Sequence, residues 1–237
     1  MATRGLAILP VEGLGEIGPG DVLAEALAAA AQPEPGLRDG DVVVVTSKVI
    51  SKAEHRLVRL APGGPDVREL VERESVRVLR RRGDLLIAET AHGFVCANAG
   101  VDVSNVDRGW AALLPLDADR SARRIRDGLR GLLAVEVAVV VSDTFGRPWR
   151  RGVTDVALGC AGIGPILDLR GSLDSFGRAL QATEIALADE LAAAADLVMG
   201  KASGIGAAVV RGVEAGWLRQ GSIRAEVVRH PGEDLFR

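Results

Sequence analysis

Two unbroken apolar runs, Val42–Val45 and Val137–Val141, stand out in the hydrophobic pattern and read as buried strands. Shorter strands are predicted at Leu6–Pro10, Leu85–Ala88 and Ala207–Val210. Helical spacing predicts a helix capped by Asp21 and running to about Ala31, and further helices over about Val67–Arg81, Arg120–Leu132 and Gln181–Val198. Gly200 stops the last of these. Asn98–Asn105 shows neither period. Glycines at 159, 162, 164, 171 and 177, with Pro165, mark 159–177 as a boundary or a mobile loop over a site. Strands and helices mix without a strict strand–helix–strand rhythm, which predicts an α+β fold in one domain of 237 residues.

Composition narrows the classes. With 48% hydrophobic residues the chain can bury a substantial core, and a net charge of −3 argues against a general nucleic-acid-binding surface. Only 3% of residues are aromatic and none is Tyr, so base-stacking platforms are not expected. The cluster Arg80-Arg81-Arg82 falls where a helix is predicted to end, where cations complement the dipole. Cys96 and Cys160 are too few for a disulfide framework or a zinc site and read as buried thiols. No leader pattern and no apolar stretch of the roughly 20 residues that span a bilayer is evident, so a cytoplasmic protein without membrane contact is expected.

Chemistry concentrates after the apolar runs. Val137–Val141 is followed by Asp143-Thr144-Phe145-Gly146-Arg147-Pro148-Trp149-Arg150-Arg151-Gly152-Val153-Thr154-Asp155. An Asp-Thr pair at a strand end can hold a divalent cation through hard oxygens, and neighbouring arginines can grip phosphate or carboxylate. The bland alternative is a solvated loop. Thr46-Ser47-Lys48-Val49-Ile50-Ser51-Lys52 follows the other run; its hydroxyls and lysines suit phosphate oxygens, although the P-loop spacing is absent and a polar strand end explains it as well. Asn98–Asn105, with Asp102, offers oxygen ligands or plain Asx-turns. Met199–Gly206 is either an ordinary helix end or a turn that brings backbone close to a nucleotide. His92, before a glycine, reads as a turn residue, and Glu184 is placed at the N-terminal end of the last long helix, where it could point into a site. From the residues alone the reading is a metal- and phosphate-using α+β enzyme. A phosphohydrolase, another carboxylate–amine ligase and a nucleotide-binding module without turnover are the alternatives.

In order along the chain, these segments resemble the coenzyme F420-0:L-glutamate ligases. The likeness is carried by Ile8–Val11, Gly40–Glu54, Ala99–Val106, Val141–Arg150, Gly152–Gly159 and Ala193–Lys201, from about residue 6 to 212. It implies α+β subunits with mixed and antiparallel sheets and flanking helices, two intimately packed subdomains and an intertwined homodimer. It implies no C-terminal nitroreductase-like domain here, where some relatives continue into one. It implies a GTP-dependent ligase that joins L-glutamate to coenzyme F420-0, or its dehydro precursor, through an acyl phosphate and then extends a gamma-linked glutamate tail, with Mg²⁺ or Mn²⁺ and a K⁺ ion as cofactors. Carried over by residue, Asp102, Asp143 and Thr144 are the metal positions. Leu9, Pro10, Val11, Glu12, Thr46, Ser47, Lys52, Asn105 and the turn Met199, Gly200, Lys201, Ala202, Ser203, Gly204, Ile205 and Gly206 are nucleotide contacts. Asp143, Arg147 and Arg150 form the catalytic set, the arginines from the chemistry of phosphate and carboxylate recognition. Some members of the family carry an acid at the position of Lys201 that helps to bind a second metal. A protonated lysine cannot serve that role.

Overall fold

The two apolar runs lie side by side. In the computed structural model, which describes residues 5–60 and 64–234, β1 (Ala7–Pro10), α1 (Leu23–Ala31) and β2 (Val42–Thr46) lead directly into α2 (Ser47–Ala53). Next come β3 (Leu57–Arg59), α3 (Val67–Glu74), β4 (Ser75–Arg82), β5 (Leu85–Thr90), β6 (Val95–Ala97) and β7 (Trp110–Ala112). Then follow α4 (Ala118–Leu133), β8 (Ala138–Gly146), β9 (Val153–Ala161) and the short pair β10 (Leu167–Asp168) and β11 (Glu184–Ile185). The chain continues through α5 (Leu187–Met199), β12 (Ala207–Arg211) and α6 (Ile223–Glu226). The fold is α+β, with mixed and antiparallel sheets and flanking helices.

The main sheet has five strands in the order β1-β12-β2-β8-β9. Its only parallel pair is β2 with β8, in register from Val42↔Ala138 to Thr46↔Ser142. Strands buried on both faces need no polar alternation, which is why both runs are continuously apolar. On one face Val43, Val45, Val139 and Val141 pack with Leu27 of α1 and Leu129 of α4. On the other, Val42, Val44 and Val140 pack with Leu187, Leu191 and Ala195 of α5 and with Ile223. A third apolar cluster joins Leu70 and Val71 of α3 to Leu86 and Ala88 of β5, Ala111 of β7 and Leu113. It supports the three-stranded sheet β4-β5-β6 and the pair β3-β7, and so holds the segment around residues 98–107.

Several boundaries differ from the sequence expectation, each for a tertiary reason. The helix predicted to Arg81 ends at Glu74. Ser75 Oγ donates to the Val71 carbonyl at 2.5 Å, and the chain then pairs with β5, as Val78↔Ala88 and Arg82↔Leu85. Arg80-Arg81-Arg82 therefore lies on a strand, not at a helix end. Asp21 does not cap α1; its carboxylate accepts the Gly18 N–H at 2.7 Å and tightens the preceding loop. α5 starts at Leu187 rather than Gln181, because Glu184 and Ile185 pair with β10. Glu184 consequently sits 3.2 Å from Arg170 on that hairpin. Gly159 belongs to β9, where a Cβ would lie 2.2 Å from the Ala118 carbonyl carbon, so glycine there permits the close approach of α4 to the strand.

Candidate functional site

Parallel strands end together, and ligands of open sheets collect beyond their carboxyl ends. Here β2 ends at Thr46 and the apolar part of β8 gives way to Ser142, Asp143 and Thr144. β8 does not stop at Val141 as its pattern suggested. It runs to Gly146 against β9, with a register shift at Val141/Ser142 that leaves Leu158 without a partner. Such bulges re-aim side chains and are common beside active sites. Beyond these strand ends opens a cleft of about 1060 Å³. That is at the upper end of ligand pockets, roughly 300–1,000 Å³ in general, and is room for more than one small molecule.

Three chain segments bring charge to it. Because β2 runs straight into α2, Lys48 and Lys52 lie one helical turn apart on the same face and both line the cleft. The second segment is held by unusual backbone: Asn98, Ala99 and Gly100 take φ of 49°, 50° and 73°, and the Asn98 carboxamide accepts the Leu86 N–H at 3.0 Å. A left-handed alanine is strained by on the order of 1–3 kcal/mol and persists only where its surroundings over-determine it. Asp102 follows, anchored by mutual backbone hydrogen bonds with Ala112. The third segment is the turn after α5, with Lys201. The Asn105 side chain donates to the Lys201 carbonyl at 3.3 Å, which links the second segment to the third.

The carboxylates differ in their neutralisation. The Lys48 ammonium donates to Asp102 Oδ2 at 2.7 Å, and Ser104 donates to the same carboxylate through both its N–H and its hydroxyl. Burial works to raise the Asp102 carboxyl, but these donors outweigh it and hold it below the usual carboxylate range. Asp143 has no such relief. Burial pushes its carboxyl up to about 6; the Thr144 N–H opposes this, and the Asp155 and Asp102 charges add to it. Asp155 faces Thr144 directly across the hairpin. It accepts from the Thr144 hydroxyl at 2.6 Å, the Ser142 hydroxyl at 2.9 Å and the Lys201 ammonium at 3.0 Å. Lys201 also reaches Asp196 at 3.1 Å. Burial works to lower the Lys201 ammonium, but Asp155 and Asp196 outweigh it and raise it above the ordinary lysine value.

The profile of the F420-0:Gamma-glutamyl ligase family matches residues 13–212. A coenzyme F420:L-glutamate ligase of Methanothermobacter thermautotrophicus is 43% identical over 98% of this chain and 99% of its own. Proteins of the same name from Methanopyrus kandleri and Archaeoglobus fulgidus are 41% and 40% identical, covering 98% and 97% of this chain and 98% and 96% of theirs. The chain belongs to the F420-0:gamma-glutamyl ligase family. The resemblance read from its motifs holds over nearly its full length.

Of the residues carried over from that family, the structure gathers Thr46, Lys52, Asp102, Asn105, Asp143, Thr144, Met199, Gly200, Lys201, Ala202, Gly204, Ile205 and Gly206 around the cleft. Leu9 and Val11 pack into the core, Pro10 pairs with Ala208, and Glu12 is exposed in the turn beyond. Leu14–Ile17 take their place on the wall. Ser47 is buried beneath the cleft, and the Ser203 hydroxyl turns back to the Met199 carbonyl. Arg147 and Arg150 occupy the exposed tip of the β8–β9 hairpin, and Gly146 and Val153 beneath them reach the cleft. Arg147 donates to the Arg151 carbonyl at 2.7 Å. His92 lines a separate cavity of about 20 Å³. Four cleft carboxylates were not assigned a role from sequence, Glu16, Asp107, Asp155 and Asp196. Asp155 was within reach of it: had Gly146–Gly152 been read as a hairpin turn, Asp155 would have fallen opposite Thr144.

The donor set fits one divalent ion. Among the described residues no group of three or more His, Cys, Asp or Glu is arranged to hold a metal alone. Mg²⁺ and Mn²⁺ at nucleotide sites, however, typically use one or two carboxylates, with waters and phosphate oxygens completing the shell. Asp102 and Asp143 would suit that mode if the Lys48 ammonium, which grips Asp102 Oδ2, gave way to the cation, and a cation would relieve the crowding that raises Asp143.

Proposed function

We propose that this protein is a GTP- and divalent-metal-dependent ligase that adds L-glutamate to coenzyme F420-0, or its dehydro precursor, and extends the gamma-linked tail. The observation that supports it best is the convergence of Asp102 and Asp143 with Lys48, Lys52 and Lys201 in one cleft at the strand ends, in a chain of this family. An acceptor carboxylate oxygen attacks the terminal phosphoryl group of GTP; the bond to GDP breaks and an acyl phosphate forms. The glutamate amine, having lost its proton, then attacks the acyl carbon, and inorganic phosphate leaves with the electron pair of the broken C–O bond. The residues of the cleft mainly position groups and neutralise phosphate charge, as phosphoryl transfer requires. Lys52 supplies ammonium donors to phosphate, and the open backbone of Gly200–Gly206 allows the nucleotide close approach. Asp102 and Asp143 would hold a divalent ion, whose positive charge would offset that of the phosphates. Arg147 and Arg150 meet the parts of the acceptor that extend past the rim. We propose a homodimer as the working unit, on the support of Val76, Val78, Leu85 and Val95, which are all exposed on the β4-β5-β6 sheet.

The test is mass spectrometry of coenzyme F420-0 incubated with the purified protein, GTP, L-glutamate and Mn²⁺. A product heavier by glutamyl units that needs both GTP and metal supports the reading. No mass gain, with the dehydro acceptor and other nucleotides also tried, rejects it.

A further inference from the structure

The second metal position of the family does not fit this chain. An ammonium has three N–H donors, and those of Lys201 have three partners: the Thr144 hydroxyl, Asp155 Oδ1 at 3.0 Å and Asp196 Oδ1 at 3.1 Å. The Thr144 hydroxyl donates a hydrogen bond to Asp155 Oδ1 at 2.6 Å, and Asp155 Oδ2 accepts from the Ser142 hydroxyl at 2.9 Å. Every Lys201 N–H and both Asp155 oxygens thus have a partner in this knot, in which one ammonium faces two carboxylates. Its position is also fixed from outside: Asp196 lies in the last turn of α5, whose C-terminal end favours a cation, and Asn105 holds the Lys201 carbonyl. A divalent ion bound here would need the same oxygens at about 2.0–2.2 Å and would face an ammonium at close range.

We propose that the Lys201 ammonium is the built-in cation of the Thr144–Asp155–Asp196 pocket, and that this pocket takes no exchangeable divalent ion. Any divalent ion in the cleft then binds on the Asp102–Asp143 side. The inference extends the metal-dependent reading above but concerns the count of ions, which is measured without substrate. A tethered charge needs no recruitment from solution, and the half-exposed Lys201 side chain lines the cleft.

Mn²⁺ alone, titrated into the purified chain with free ion followed by electron paramagnetic resonance, tests this. Lys201→Glu, which replaces the ammonium by a third carboxylate, is expected to bind one more Mn²⁺ per chain than the wild type. Lys201→Met, which keeps bulk but removes charge, is expected to gain the same ion more weakly and serves if the glutamate variant fails to fold. Thermal unfolding confirms that each variant is native. The proposal is overturned if the wild type already binds as many ions as Lys201→Glu, or if neither folded variant gains one. No ion in the wild type with one in the variants would uphold it while removing the metal from the proposed function. The same gain with no glutamyl product in the mass assay would likewise separate the two.

Discussion

Each wall of the cleft pairs an aspartate with a lysine, and the two pairs are built in opposite senses. On one, Asp102 is 44% exposed and Lys48 only 17%. On the other, Asp155 is 3% exposed and Lys201 54%. In the first pair the lysine is rooted and the acid is offered to the cleft. In the second the acid is rooted and the lysine is offered. The backbones explain the difference. Asp102 comes from an irregular segment set by left-handed residues, so its carboxylate stands off the surface; Asp155 comes from a regular strand, directly opposite Thr144, and points into the hairpin it helps to hold. Asp143 lies between them and feels both charges. The same two residue types thus leave a carboxylate exposed on one side and an ammonium exposed on the other.

The largest expected effect comes from breaking the acid side. Asp102→Asn and Asp143→Asn each remove an anionic oxygen that would hold the divalent ion, and turnover should fall by about 10³-fold or more. Folding stability should change little for Asp102→Asn, since exposed ion pairs contribute about 0–1 kcal/mol. Steady-state turnover and denaturant midpoints measured on the same preparations check both halves. Near-wild-type turnover in Asp143→Asn would show that the metal assignment is wrong.

Breaking the rooted acid should have the converse signature. Asp155→Ala strips partners from the Ser142 and Thr144 hydroxyls and from Lys201, and buried groups left without partners are costly. A loss of about 2–4 kcal/mol in unfolding free energy is expected, read from chemical denaturation, with activity falling alongside it.

How far the sequence foretold this site depended on the range of the contacts involved. The valine runs, their polar ends and the break at Gly200 are local signals; the grouping of Asp102, Asp143 and Thr144 came from the family resemblance, and all three line one cleft. Asp155 ends the stretch that begins at Asp143, but its importance arises only once a hairpin brings it back to Thr144. α3 shows the same limit. Through Arg81 its spacing suits a helix, and only pairing with β5 converts the second half to strand. Arg147 and Arg150 have the right chemistry for phosphate, but the extension of β8 past Val141 carries them to an exposed tip.

Asp143 also gives the comparison a pH dependence. Its folded-state carboxyl is raised to about 6 from an ordinary 3.8. A raised carboxyl favours the folded state while protonated, so its contribution is present below the ordinary value and is lost as pH rises through about 6. In chelator-treated protein, stability should therefore decline between about pH 4 and 6, by on the order of 2 kcal/mol from this group. Asp143→Asn should flatten that segment, and Mn²⁺ should move its midpoint to lower pH. Urea unfolding across the pH series reads all three.

The smallest effect separates Lys52 from the two lysines just compared. Its partner is Glu16, on the glycine-rich loop between β1 and α1, and that acid is itself largely exposed. An exposed partner is readily exchanged, so Lys52 can release Glu16 for a phosphate without leaving a buried charge behind. Lys52→Ala should therefore cost no more than about 0.5–1 kcal/mol of stability. Nucleotide affinity should weaken by about tenfold, or about 1.4 kcal/mol. Calorimetric titration with a non-hydrolysable GTP analogue measures this. Glu16→Gln supplies the control: with the competing carboxylate removed and Lys52 intact, affinity should hold or rise slightly. A drop for Glu16→Gln equal to that for Lys52→Ala would mean that the ion pair itself, by fixing the loop, shapes the nucleotide site.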